Sequence, residues 1–314
     1  MKTTYIRPVS DLFYYSIMLL FTGICFVIFW FSSYFDYINM LNNGYINNKS
    51  ITFKIEEINH PFKTNEGNYI LLQYNEASPQ LKYVWINGKV KFPPIKQIDD
   101  YIDDENIAII GEHVDPKIIP NDYKLIGYFN APNSYQLQSD IWLIPQYIDI
   151  DVANGTRFVF MTPSLDVMTV FNKMINMNNI EIINSESNGS YSLKSNQVIA
   201  TIQFVTIFLL SIMLLITATI WLNKESHFLS ILYISGFSFG AICIIVLKTK
   251  ILPYVFLSSV LIAFSILINF ILPLWDIAWM ISSFYLIIFY ITVITLLSLY
   301  VTYIYTVRKG GQKY

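Results

Sequence analysis

LFYYSIMLLFTGICFVIFWFSSY, residues Leu12–Tyr34, contains no Asp, Glu, Lys or Arg. As a helix rising 1.5 Å per residue it would be about 34 Å long, enough to cross roughly 30 Å of bilayer hydrocarbon. Val198–Leu222, Ile251–Leu272 and Ala278–Val307 are likewise free of charged residues. Between the first run and the other three lies Phe35–Gln197, which holds most of the acids. Across 314 residues the apolar fraction is 54%, the charged fraction 13% and the mean hydropathy +0.46. These averages mix two phases. The pattern predicts a membrane protein with four transmembrane helices and a large extracytoplasmic α+β domain between helices 1 and 2.

Leu12–Tyr34 is longer than the 7–15 residue core of a signal peptide. Its end also carries bulky Phe29-Trp30-Phe31, Tyr34 and the following Phe35 instead of a small-residue cleavage site. A retained anchor with interfacial aromatics is the better reading. Basic residues flanking short segments set orientation. Lys2 and Arg7 precede the first run, Lys224, Lys248 and Lys250 lie between the second and third, and Arg308, Lys309 and Lys313 follow the fourth. The connection Asn269–Ala278 carries Asp276 and no Lys or Arg. Both termini are therefore expected in the cytoplasm and the polar domain outside.

The expected segments are residues 1–10 inside, 11–34 as the first span, 35–197 outside, 198–222 as the second span and 223–250 as a cytoplasmic segment leading into the third. The third span is 251–272, 273–277 the external turn, 278–307 the fourth span and 308–314 the cytoplasmic end. Phe35–Asn196 has 12 Lys/Arg against 19 Asp/Glu, a net charge of −7. Asp99-Asp100, Asp103-Asp104-Glu105, Glu112 and Asp115 concentrate part of it. They lack the D-x-[DN]-x-[DN]-G calcium spacing and read as a solvated acidic face.

Short apolar or alternating segments predict strands at Ser50–Ile58, Tyr69–Tyr74, Tyr83–Ile86, Ile107–Ile110, Lys124–Phe129 and Asp140–Ile144. Asn87-Gly88 predicts a hairpin between Tyr83–Ile86 and Lys89–Phe92. Helices are expected at Pro94–Asp103 and Ser164–Met177. In the second, Leu165, Met168, Phe171, Met174 and Ile175 recur at helical spacing after a Ser164 cap.

Catalytic patterns are few in the sequence. His60, His113 and His227 form no H-x-x-H or H-E-x-x-H, and there is no S-x-x-K; Gly236-Phe237-Ser238-Phe239-Gly240 has the G-x-S-x-G spacing but lacks the lysine of a P-loop, and Asn87-Gly88-Lys89 lacks a P-loop's spacing. Cys25 and Cys243 fall in apolar runs and read as small packing residues. The chain is expected to be no enzyme, to hold no metal or other cofactor and to bind no nucleic acid.

The cytoplasmic stretch NKESHFLSILYISGFSFGAI, Asn223–Ile242, starts with charges, continues as a short helix with Phe228, Leu229, Leu232 and Tyr233 near one side, and turns at Gly236. Such an interfacial helix can be pushed by a soluble partner. A connecting loop lying on the membrane is the alternative. Gly236 is expected to permit a close approach or a turn with unusual backbone angles.

Ile231–Ser238 (ILYISGFS), within the arrangement of one span, external domain and three spans, resembles the FtsX/MacB-like permeases of ABC transporters, whose stretch usually reads R-E-I-x-I-L-R-x-L-G-A-S. Asn106–Gly111, Tyr123–Gly127 and Ile141–Pro145 also resemble the core of a MacB-type external domain. Aligned on Gly236 and Ser238, His227 and Phe228 occupy the family's Arg and Glu, Lys224-Glu225 lie about one turn earlier, and Tyr233 replaces the usual Arg. The resemblance implies ATPase coupling through Lys224, Glu225, His227, Phe228, Leu229, Leu232, Tyr233, Gly236 and Ser238.

It further implies a type VII, mechanotransmission-type permease subunit in a bacterial cytoplasmic membrane. The partners implied are a cytosolic ABC ATPase dimer carrying ATP and Mg, a second permease copy or related permease, membrane lipid, and an external peptide, lipoprotein or cell-wall hydrolase. Function would be export or removal of a peptide or lipid-linked compound, or control of an external hydrolase. The alternatives are an ATPase-independent receptor or scaffold and an antimicrobial-peptide immunity protein. Tyr34–Met40 and Ser190–Gln197 would be stalks packing on each other.

Overall fold

A helix satisfies backbone amides within its own segment, as any stretch that crosses a bilayer must. The computed structural model describes residues 8–47, 49–56, 67–98, 105–148, 150–174, 180–183, 191–272, 274–275 and 277–308, with backbone alone at 8–10, 191–197 and 307–308. The chain divides into a helical unit, 1–33 with 198–314, and a sheet unit, 34–197. Among the described residues four helical runs are long and apolar enough to cross a membrane: Asp11–Asn42, Val198–Lys224, Phe239–Ile271 and Ala278–Thr306.

The helical unit contains the first part of α1 (Pro8–Asn42) and most of α4 (Tyr191–Lys224). Short α5 (Ser226–Ile234) and α6 (Phe239–Val246) follow, then α7 (Leu252–Ile271) and α8 (Ala278–Tyr303). A π-helical turn, Leu247–Ile251, fuses α6 to α7. The third long helix thus begins at Phe239, and Lys248 and Lys250, read above as lying between spans, sit inside it.

Met18, Leu214, Ala218, Trp221, Ile251, Tyr254, Tyr290 and Ile294 form a core joining α1, α4, α7 and α8. Three hydroxyl contacts cross it. Tyr254 Oη lies 3.0 Å from Thr22 Oγ1, and Tyr290 Oη lies 2.8 Å from Ser211 Oγ and 3.6 Å from Cys25 Sγ. Elsewhere hydroxyls of α8 and of the turn that continues it bond to their own helix: Ser283, Ser298, Thr302 and Thr306 each donate to the carbonyl four residues back at 2.7–2.8 Å. Cys25 and Cys243 are buried and unpaired thiols.

The sheet unit contains nine strands among the described residues, in the order β4-β6-β5-β7-β3-β2-β8-β1-β9. They are β1 (Ile51–Lys54), β2 (Tyr69–Asn75), β3 (Ser78–Asn87), β4 (Ile95–Gln97), β5 (Ile107–Ile110), β6 (Lys124–Phe129), β7 (Ile141–Ile144), β8 (Arg157–Met161) and β9 (Glu181–Ile183). β3 with β7 and β5 with β6 are parallel, and the other pairs antiparallel. α2 (Tyr135–Ser139) and α3 (Val167–Met174) complete the α+β unit.

One face buries Phe53, Leu71, Trp85, Phe158 and Phe160 under Phe171 and Met174 of α3. Each such side chain contributes roughly 1.5–3 kcal/mol by leaving water. The inward stripe of α3 is Val167, Phe171 and Met174; Met168 and Leu165, expected to share it, are exposed. The helix is capped at Asp166, not Ser164, because the Asp166 carboxylate accepts the Thr169 N–H at 3.1 Å. That bonding, with the Thr169 hydroxyl, holds the Asp166 carboxyl below the usual carboxylate range.

Two other expectations fail. Residues 95–97 form strand β4 on β6 where a helix over Pro94–Asp103 was expected; 99–103 lie outside the described residues. Gly88 does turn the chain, at φ +70°, with Asn68 Oδ1 accepting the Lys89 N–H at 3.0 Å. Lys89–Phe92 nevertheless forms no strand; β3 pairs instead with β2 and, at Leu81–Tyr83, with β7. The hairpin is β2–β3, turning at Asn75–Ala77.

Close approaches set two glycines. A Cβ on Gly111 would lie 1.9 Å from the Gln138 carbonyl, and one on Gly155 (φ +143°) 2.3 Å from that of Tyr74. Glu105, Glu112 and Asp115 are exposed, as a solvated acidic face requires; Asp99, Asp100, Asp103 and Asp104 lie outside the described residues. Ser190 and the side chains at 191–197 do too, and with them the expected stalk contact.

Candidate functional site

The segment expected to meet a partner is a helical hairpin. α4 ends at Lys224, and α5 starts at Ser226 with Glu225 at its N-cap. Leu229 is buried against Ile242 and Val246 of α6, with Leu232, Tyr233 and Tyr305 packed around them. Ser230 Oγ donates to the Tyr305 carbonyl at 3.0 Å, tying α5 to the end of the fourth long helix.

The hairpin's bend is made by Gly236, at φ +88°. Its N–H donates to the Tyr233 carbonyl at 3.0 Å, and the Phe237 N–H to that of Leu232 at 3.2 Å. This double bond pattern around a left-handed residue stops α5 and satisfies its last carbonyls. Two residues on, Ser238 starts α6: its Oγ accepts the Ala241 N–H at 3.3 Å. Of the two roles open to Gly236, the turn is present; a Cβ there would meet nothing within 4 Å among the described residues.

The nine residues singled out from sequence thus divide. Gly236 and Ser238 shape the bend. Leu229, Leu232 and Tyr233 face α6 and the C-terminal helix. His227 is exposed and Phe228 half-buried. Lys224 Nζ sits 5.7 Å from the Tyr14 ring centroid. Ile231 and Ile234 on the outer side, 60% and 58% exposed, were missed, although i, i+4, i+7 spacing puts them on one face with His227.

Glu225 belongs to a charge cluster. Lys250, from the π-helical turn, places Nζ 2.7 Å from Asp11 Oδ2 and 3.4 Å from Glu225 Oε1. The Trp221 indole N–H donates to Asp11 Oδ1 at 2.9 Å, and Lys250 Nζ lies 4.9 Å from the Trp221 ring. Tyr15, edge-on to Trp221 at 4.9 Å, donates to the Thr249 carbonyl at 2.8 Å and lies 3.2 Å from that of Lys250. The side chains of Lys250, Asp11 and Glu225 are only 10%, 25% and 12% exposed.

Charges so poor in solvent persist because each is paired and hydrogen-bonded. The π-helical turn skips the regular i−4 bonding, and Tyr15 supplies a donor to one of its carbonyls. The cluster unites the start of α1, the α4–α5 junction and the third long helix. From sequence, Asp11 stood only at the edge of an apolar run and Lys250 counted as a loop lysine; their separation by 239 positions left no local signal.

What the fold defines, among the described residues, is four span-length helices with an α+β sheet unit inserted between the first and second. No protein-family model matches the chain, and a comparison with curated proteins finds no match.

Proposed function

We propose that the chain is a permease subunit of an ABC transporter of the FtsX/MacB-like, mechanotransmission type. It would sit in a bacterial cytoplasmic membrane with both termini inside and the sheet unit outside. A separate cytosolic ATPase dimer, with ATP and Mg, engages the α5–α6 hairpin, and a second permease copy completes the complex. Work goes to an external peptide, a lipid-linked compound or a cell-wall hydrolase.

The observation that carries this reading is Glu225. It stands at the N-terminus of the helix a partner would push and, through Lys250, is tied to Asp11 at the start of α1. A push on α5 is therefore delivered to the helix through which the chain enters the sheet unit. Small displacements of packed helices of this kind are a common switching motion. Exposed Ile231, Ile234 and His227 supply the surface for contact, and Lys224-Glu225 the charge near it.

The test is copurification followed by turnover. Detergent-solubilised protein should bring down an ATP-binding subunit whose hydrolysis it stimulates. Phe228→Asp and Gly236→Val should uncouple the pair without loss of membrane folding. Full ATPase stimulation in both variants would sink the assignment, and absence of any ATP-binding partner would favour an ATPase-independent receptor.

A further inference from the structure

Pro253 lies inside the third long helix, Phe239–Ile271. In a regular helix residue 253 donates its N–H to the carbonyl of Thr249, four back; proline has none to give, and its ring crowds that carbonyl. The helix widens just before it. Leu247–Ile251 is π-helical, and the Leu252 N–H donates to the Leu247 carbonyl, five residues back. The Thr249 carbonyl receives a hydrogen from another helix instead: the Tyr15 hydroxyl of α1 donates to it at 2.8 Å, with the Lys250 carbonyl 3.2 Å from the same oxygen. Neighbouring hydroxyls and local π adjustments are the usual means by which a long apolar helix tolerates an internal proline.

α1 grips this turn twice. Asp11 and Tyr15, one helical turn apart and so on one side of α1, hold the Lys250 ammonium at 2.7 Å and the Thr249 carbonyl. Both ties are made by side chains, so a shift of α1 by a few ångström ends them while leaving the backbone ladders of α6 and α7 in place. The hairpin's other attachment is of the same kind: Ile304–Arg308 is π-helical, and Ser230 of α5 donates to its Tyr305 carbonyl at 3.0 Å. We propose that Leu247–Pro253 is a joint on which α6 swings against α7, and that α1 is its catch. With Tyr15 seated on Thr249 the joint is held, and with α1 displaced it is released; a few residues at the end of an element are enough to absorb such a motion. The proposal rests on the packing of the helical unit and not on the permease reading.

Hydrogen exchange of the full-length protein in nanodiscs, read by mass spectrometry, tests the catch. Tyr15→Phe keeps the ring and removes the hydroxyl. Amides of Val246–Leu252 should then exchange about three- to tenfold faster, as loss of one hydrogen bond predicts, while those of Leu261–Phe270 keep the wild-type rate. Pro253→Ala restores the missing N–H, so it should slow the same amides below wild type and make Tyr15→Phe silent when the two are combined. A mere loss of packing around Tyr15 could not be repaired in this way. Spin labels at Ile244→Cys and Phe256→Cys, 55% and 70% exposed on either side of the joint, read the swing, with both native cysteines replaced by serine. Their distance distribution should be narrow in the otherwise wild-type chain and broadened by Tyr15→Phe. Unchanged exchange at 246–252 or an unchanged distance distribution in Tyr15→Phe overturns the proposal. So does acceleration that reaches 261–270 equally, or one that persists in the Tyr15→Phe, Pro253→Ala double variant.

Discussion

Lys250 and Asp11 meet at 2.7 Å although 239 positions separate them, and Glu225 lies 3.4 Å from the same ammonium. One ammonium thus serves two poorly solvated carboxylates, which makes it the costliest of the three to remove. Lys250→Met should destabilise the helical unit by about 3 kcal/mol, the usual scale for leaving a buried charge unpaired. Thermal unfolding in detergent would read this as a lower Tm. Asp11→Asn should cost less, because Glu225 remains to balance the lysine. The exchange Asp11→Lys with Lys250→Asp should recover part of the loss; no recovery would deny the pair its role.

Gly236 stops α5 through backbone angle alone, since nothing crowds its missing side chain. Gly236→Val should cost about 1–2 kcal/mol, the penalty of a left-handed conformation for an ordinary residue. Gly236→Asn should be milder because Asn tolerates that region. Amide exchange at Leu232–Phe237 would rank the two; equal protection in both would show that the bend does not depend on φ.

Gly111 behaves oppositely. A methyl there would lie 1.9 Å from the Gln138 carbonyl, so the end of β5 and the end of α2 must separate to admit it. Gly111→Ala should destabilise the sheet unit by about 1–3 kcal/mol, as overpacking does. Limited proteolysis between Gln138 and Ile141 checks it.

At Asp166 the folded carboxyl titrates below its unfolded value because Thr169 bonds to the ionised form. Its contribution is therefore present above the ordinary carboxylate pKa and lost as pH falls through the lowered one. Exchange protection of the first turn of α3 should decline on acidification in the wild type. With Asp166→Ala it should start lower and vary less with pH.

Much of this was legible where the pattern is local. The uncharged runs appear as span-length helices, and Ile107–Ile110 and Lys124–Phe129 are strands with the bounds expected. Strand β8 was passed over, although RFVFM is wholly apolar after Arg157, and β4 was read as a helix because its only strand signal is pairing with β6. The Asn87-Gly88 turn misled because pairing partners are chosen in three dimensions. At the hairpin, Gly236 and Ser238 were readable as punctuation. The Asp11–Lys250–Glu225 cluster was not: nothing in the neighbourhood of any of the three residues names the other two.

The π-helical turn at Leu247–Ile251 is also a phase setting. It accommodates one residue more than a regular turn, so the faces of α6 and α7 are offset by roughly one residue's rotation, about 100°. α6 can then pack on Leu229 while α7 packs on α1, and Lys250 projects between them. Deleting a single residue from 247–251 would leave composition and hydropathy almost untouched, yet would turn one packing face away from its partner. The third helix is in this sense two helices spliced out of step, and the splice, more than its apolar length, determines what each half can touch.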